Sequence, residues 1–127
     1  MPMKALLSIK SEFVKRILSG EKKYEYRRRV FARDDVEAIV IYETLPVGRV
    51  VAEVEVEKVL KDTPSALWEE THKDSGITEQ YFFSYFSGLE QACAIELGNV
   101  RLFDNPLLLS EYNPDLTHAP QSFVYVE

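Results

Sequence analysis

Apolar residues recur along this chain at two different periods, and the changes of period divide it into elements. "MKALLSIK" alternates weakly and predicts a first strand over residues 3–10. Ser11 stands where a helix N-cap belongs. "EFVKRILSG" then places Phe13, Val14, Ile17 and Leu18 on one helical face, with Gly20 in the position of a C-terminal cap. "KKYEYRRR" returns to period two, with Tyr24, Tyr26 and Arg28 on one face and Lys23, Glu25, Arg27 and Arg29 on the other. This predicts a second strand with one charged face. "VEAIVIYET" is apolar at almost every position, which predicts a third strand buried on both sides. Beyond the turn "LPVG", "RVVAEVEVEKVLKD" reads as a long fourth strand, with valines and alanine alternating against glutamates.

The pattern then becomes helical. Thr63 caps "PSALWEETHKD", with Pro64 at the favoured first helical position, and Thr78 caps a second helix, "EQYFFSYF", closed by Gly88. The aromatic tract in that helix suits packing against a sheet better than a cofactor pocket. "QACAIELGNVRLF" supplies a further strand, "PLLLSEY" a connection, and "QSFVYVE" a closing strand. Five or six mostly antiparallel strands with short helices inserted between them predict an α+β fold built on a small, partly open β-barrel. At 127 residues the chain fits one domain over 1–127, with no internal repeat or linker.

Composition adds a compartment and a charge map. Cys93 is the single cysteine, set in an apolar run, so a buried and unreactive thiol in a reducing cytoplasm is expected. Neither a secretory leader nor a membrane span is apparent, and a soluble cytoplasmic protein is expected. The net charge is -6, yet residues 1–34 carry ten lysines and arginines against four acids, a net of +6 that leaves -12 for the remainder. One basic face on an acidic protein draws a polyanion to one place, so the low isoelectric point does not exclude nucleic acid. Two histidines far apart, one cysteine and no calcium-loop spacing offer no metal-ligand set, and neither dinucleotide nor P-loop glycine patterns occur; no metal and no cofactor are expected.

The basic face is concentrated in "GEKKYEYRRR", which also contains Glu21 and Glu25. Charge attraction alone does not favour a carboxylate there; specific recognition does. Gly20-x-Lys22-x-x-Glu25-x-Arg27 resembles the G-x-K-x-x-E-x-R signature of the ASCH family, relatives of the PUA-like β-barrels. The "VVAEVEV" strand, the "SGI" segment before an aromatic helix and the closing "APQSFVYV" extend the resemblance over nearly the whole chain. A PUA-like barrel is the fold it implies, with a cleft that binds RNA, or a modified nucleotide or base, and a connection with translation or transcription regulation.

Physical chemistry gives the signature residues definite work. Gly20 can take a positive φ and let a ligand approach, Lys22 is a point charge for phosphate, Arg27 holds a phosphate or stacks on a base, and Glu25 accepts hydrogen bonds from an amine or ribose hydroxyl. The alternative for Glu25 is an ordinary ion pair with Arg27 or Lys23. Arg28, Arg29 and Arg33 either line a phosphate track or form a solvated edge. Tyr24, Tyr26, Tyr42 and Phe123 are stacking candidates or core, and Ser8 and Ser122 are hydroxyl donors at the cleft mouth. RNA or a modified nucleotide is the expected partner, with DNA the alternative and no membrane.

Enzymatic readings of the same residues also exist. A ribonuclease would use Glu25 to take a 2′-hydroxyl proton and Lys22 to hold developing charge, with His72 a surface group and His118 a second proton carrier if it reached the cleft. The resemblance also implies an amidohydrolase acting on modified cytidine through a lysine and a threonine nucleophile; Lys22 matches the lysine, but Glu25 stands at the nucleophile position. The acidic fourth strand leaves a third reading, a protein-interaction module.

Overall fold

The computed structural model describes residues 3–127. The elements run β1 (Met3–Ile9), α1 (Ser11–Ser19), β2 (Tyr24–Arg27), β3 (Val36–Glu43), β4 (Arg49–Asp62), α2 (Pro64–Thr71), α3 (Glu79–Tyr85), β5 (Ala92–Leu107), α4 (Leu109–Tyr112) and β6 (Phe123–Val126), with one 3-10 turn at His72–Asp74. The six strands form one mixed sheet in the order β2-β5-β4-β3-β1-β6, in which β1 and β3 are parallel and the other pairs antiparallel. No helix among the described residues is long and apolar enough to cross a membrane.

Alternation decides which core each strand feeds. On β1, Ala5, Leu7 and Ile9 face the main core while Leu6 faces the opposite side; on β3, Ile39 and Ile41 face the main core and Val40 the other. Both strands are therefore covered on two faces, as the apolar run at residues 36–44 requires. Burying each such side chain contributes about 1.5–3 kcal/mol. A third cluster sits where β2 and β5 meet α2 and α3, with Tyr26, Leu67, Phe82 and Phe86 at its centre.

The expected barrel closure is not made. β2 and β6 are the two edges of the sheet and do not pair with one another. The reason is visible at both ends of β2. Lys22 and Lys23 donate their N–H groups to the carbonyls of Arg16 and Asp74 and so precede the strand. After Arg27, the Arg28 N–H turns to the Tyr85 hydroxyl at 3.3 Å. The strand read as residues 22–29 thus shrinks to four. Register shifts in β4–β5 between Val54 and Lys58 bend the sheet without closing it.

Caps follow the sequence at two helices. The Thr63 and Thr78 hydroxyls accept from the N–H groups of Ala66 at 3.3 Å and Tyr81 at 3.0 Å. At α1 the expected cap moves by one residue: Lys10 occupies the N-cap and makes no side-chain cap, while Ser11 is already helical. Gly20 ends α1 at φ 86°, a left-handed conformation suited to glycine.

Candidate functional site

Once α1 ends at Gly20, the chain dives beneath the 75–77 segment instead of staying at the surface. Lys22 is only 2% exposed as a result. Its Nζ donates to the Ser75 carbonyl at 2.9 Å and lies 4.8 Å from the Tyr26 ring centre and 5.5 Å from that of Phe13. Gly76, at φ 66°, makes room for it: a Cβ there would overlap the Lys22 side chain and backbone. Burial pulls the amine down to about 8; Glu25 opposes the fall, and Arg16 and Arg27 add to it. Lys22 is thus a fixed and desolvated amine.

Glu25 and Arg27 leave the same face of β2, as the period-two pattern requires. The Arg27 Nε donates to Glu25 Oε2 at 3.0 Å, with both side chains largely buried. The remaining Arg27 nitrogens donate to the carbonyls of Ser8 at 2.9 Å and Ser122 at 3.4 Å. All of the guanidinium nitrogens are engaged by the protein. Arg27 therefore aims Glu25 and bridges β2 to the segments of Ser8 and Ser122, and it also lines the adjoining cleft. One carboxylate oxygen of Glu25 has no hydrogen-bond partner among the described residues, and Glu25 lines the adjoining cleft.

That cleft encloses about 120 Å3. It is lined by Ser8, Ile9 and Lys10 at the β1–α1 junction, by Phe13 of α1, by Lys22, Glu25, Tyr26 and Arg27 on and just before β2, and by Ile77, Tyr81 and Tyr85 on and just before α3. Tyr81 and Tyr85 lie one helical turn apart with rings inclined by only 12°, and Phe13 meets Tyr81 edge-on at 5.3 Å. The aromatic tract of α3 divides by helical phase: Phe82 and Phe86 are buried in the core, whereas Tyr81 and Tyr85 face the cleft. Core packing therefore accounts for two of the five aromatic residues of this tract, and Phe83 is exposed. The i, i+4 spacing of the hydroxyl-bearing rings was the signal available in the sequence.

Apart from Ser8, the other expected residues lie outside the cleft. Gly20 caps α1. The Tyr24 hydroxyl donates to Glu96 at 3.4 Å, and burial raises its pKa. Arg28 and Arg29 line a neighbouring groove with Ser122. Ser8 does line the cleft, although its hydroxyl donates to the Pro120 carbonyl at 2.8 Å. Tyr42 and Phe123 pack against the sheet. Arg33 is held by Asp35, His72 by the Trp68 carbonyl, and His118 by Thr117, none of them lining the cleft. Cys93 is buried. Among the described residues no group of three or more His, Cys, Asp or Glu is placed to hold a metal.

Fold and cleft define a small α+β domain whose candidate site lies at the strand that follows its first helix. The ASCH domain family matches residues 7–106, and the chain belongs to it. It is 34% identical over 93 residues to a Zymomonas mobilis protein named "ASCH domain-containing ribonuclease", a match covering 73% of this chain and 63% of that one. It is also 32% identical over 89 residues to the "Large ribosomal subunit protein uL22" of Ureaplasma parvum, covering 70% of this chain and 28% of that protein. The chain thus spans less than two thirds of the length of either relative. The crystal structure of ASCH from Zymomonas mobilis superposes with a TM-score of 0.86 at 30% identity, covering 98% of this chain and 87% of that one.

Proposed function

We propose that this chain binds single-stranded RNA and seats one unpaired base, ordinary or modified, in the cleft over Lys22 and Glu25. The observation that carries the reading is that a buried amine, held by the Ser75 carbonyl, and a buried carboxylate, held by Arg27, line one cleft together with the rings of Tyr81 and Tyr85. Two charges withdrawn from water are costly unless something uses them. Here the amine donates and the free carboxylate oxygen accepts, which matches a base edge that sets an acceptor beside an N–H. Tyr81 and Tyr85 supply the face, and stacking of this kind contributes about 1–3 kcal/mol per base. Likeness to one protein named as a ribonuclease and to another named as a ribosomal subunit protein supports RNA as the polymer.

A second reading, RNA cleavage, is favoured by one specific feature. An amine held near 8 exchanges its proton close to neutral pH. In that reading Glu25 takes the proton of a 2′-hydroxyl, whose oxygen attacks the adjacent phosphorus and expels the 5′-oxygen, while Lys22 stabilises the charge that develops and gives its proton to the departing 5′-oxygen.

The deciding experiment titrates fluorescent single-stranded RNA with wild type, Lys22→Met and Glu25→Gln, and runs each RNA on a gel afterwards. Binding lost in Lys22→Met and altered in base preference in Glu25→Gln, with the RNA intact, is the result expected of a binder. Cleavage that vanishes in Glu25→Gln while binding persists selects the enzyme. Wild type that neither binds nor cuts RNA overturns both.

A further inference from the structure

Beside the cleft lies a shallow groove of about 250 Å3 lined by Arg27, Arg28, Arg29, Tyr85, Gln121 and Ser122. Arg27 and Tyr85 also line the cleft, so the two depressions abut. Among the described residues no carboxylate lines the groove. Arg16, Arg27, Arg33 and Arg101 each lie within 4 Å of a carboxylate oxygen, whereas Arg28 and Arg29 have no such partner among the described residues. Arg28 is nonetheless held in place. Its guanidinium carbon lies 4.2 Å from the Tyr85 ring centre, and its Nε donates to the Tyr85 carbonyl at 2.9 Å. Its two terminal nitrogens have no hydrogen-bond partner among the described residues.

We infer that the groove is a phosphate track, so that the ligand of the cleft is a nucleotide within a strand and not a free base or nucleoside. The inference rests on the reading of the cleft as a base site. A base stacked on Tyr85 brings its sugar and the adjoining phosphate to the edge that this ring shares with the groove. Arg28 meets the phosphate with a guanidinium already ordered by stacking, and Arg29 adds a mobile charge. Cations that the protein leaves uncompensated, in a chain of net charge -6, are matched by the phosphates of the strand.

The test compares a labelled RNA pentamer with the four ribonucleosides across a salt series, for wild type, Arg29→Gln and Gln121→Glu. Expected are a preference for the pentamer of at least about tenfold and a log-log salt slope near -1.4, from about 0.7 for each of two phosphates. Arg29→Gln makes the slope shallower by about 0.7, and Gln121→Glu, which places a carboxylate in the groove, reduces the pentamer preference further. Nucleosides bound as tightly as the pentamer, or a slope and preference unchanged in both folded variants, overturn the track while leaving the cleft. Wild type that takes neither pentamer nor nucleosides overturns the base site on which the track depends.

Discussion

Lys22→Met keeps an unbranched side chain of similar length and removes the charge, which makes the buried amine measurable as a slope of stability against pH. In the folded protein the amine titrates at about 8 instead of 10.5, a difference equivalent to about 3 kcal/mol. Below pH 8 it is protonated both folded and unfolded, and the folded state bears the whole cost of burying a cation. From 8 to 10.5 the folded protein gives up the proton while the unfolded chain keeps it, so stability rises with pH; above 10.5 both states are neutral and the cost has gone. Tyr26, raised to about 12 by burial, and the raised thiol of Cys93 act in the opposite direction at alkaline pH, but they are common to both proteins and cancel in the difference. Methionine also leaves the Ser75 carbonyl without its donor, a loss of about 1–3 kcal/mol that is constant with pH and moves only the intercept. Urea unfolding followed by circular dichroism at half-unit steps from pH 7 to 10.5 gives both curves. Wild-type stability minus that of Lys22→Met is expected to climb by about 3 kcal/mol across the range. A difference that stays flat or falls refutes the argument, because the amine would then keep its charge at no cost.

Three further perturbations separate packing from recognition. Gly76→Ala forces a Cβ into Lys22 at a left-handed φ of 66°, and a loss of about 2–4 kcal/mol in urea unfolding is expected, accompanied by weakened RNA binding. Tyr26→Phe removes the hydroxyl that donates to Thr71 Oγ1 at 2.7 Å, while Thr71 still donates to the Leu67 carbonyl; a loss of about 1 kcal/mol with the fold unchanged is expected in the same assay. Tyr81→Ala removes a partly exposed ring and leaves stability within about 1 kcal/mol, yet reduces affinity for single-stranded RNA roughly 10- to 100-fold in a fluorescence titration.

Local chemistry made the order of elements readable. Thr63 and Thr78 cap their helices through atoms three residues away, and the unbroken apolar run of β3 can only belong to a strand covered on both sides. Closure was not readable, because it depends on how β2 meets a hydroxyl 57 residues away and how bulges in β4–β5 bend the sheet. The site shows the same division. That Glu25 and Arg27 share a face follows from a spacing of two. That Arg27 is taken up by carbonyls 19 and 95 residues distant does not, and no local pattern announces that Lys22 lies beneath Gly76.

The carboxylate embedded in the basic stretch finds its reason in this burial. Lys22 and Arg27 are two cations withdrawn from water on the same short segment, and Arg16 adds a third positive influence on the amine. Glu25 compensates one of them and holds Arg27 in the geometry that bridges β2 to the segments of Ser8 and Ser122, so the same ion pair serves both fold and site. While Lys22 is protonated the buried trio keeps one positive charge in excess. Loss of the proton above pH 8 removes it, and so does an anion or a strong acceptor in the cleft. Ligand and proton loss are therefore competing ways to settle the same charge: a ligand that accepts from Lys22 raises the pKa of the amine, and by linkage its affinity weakens once the pH passes 8. In the proposed reading, a ligand that offers an acceptor at that depth relieves the cost of burying Lys22, and an unfavourable feature of the folded chain becomes selectivity for such a partner.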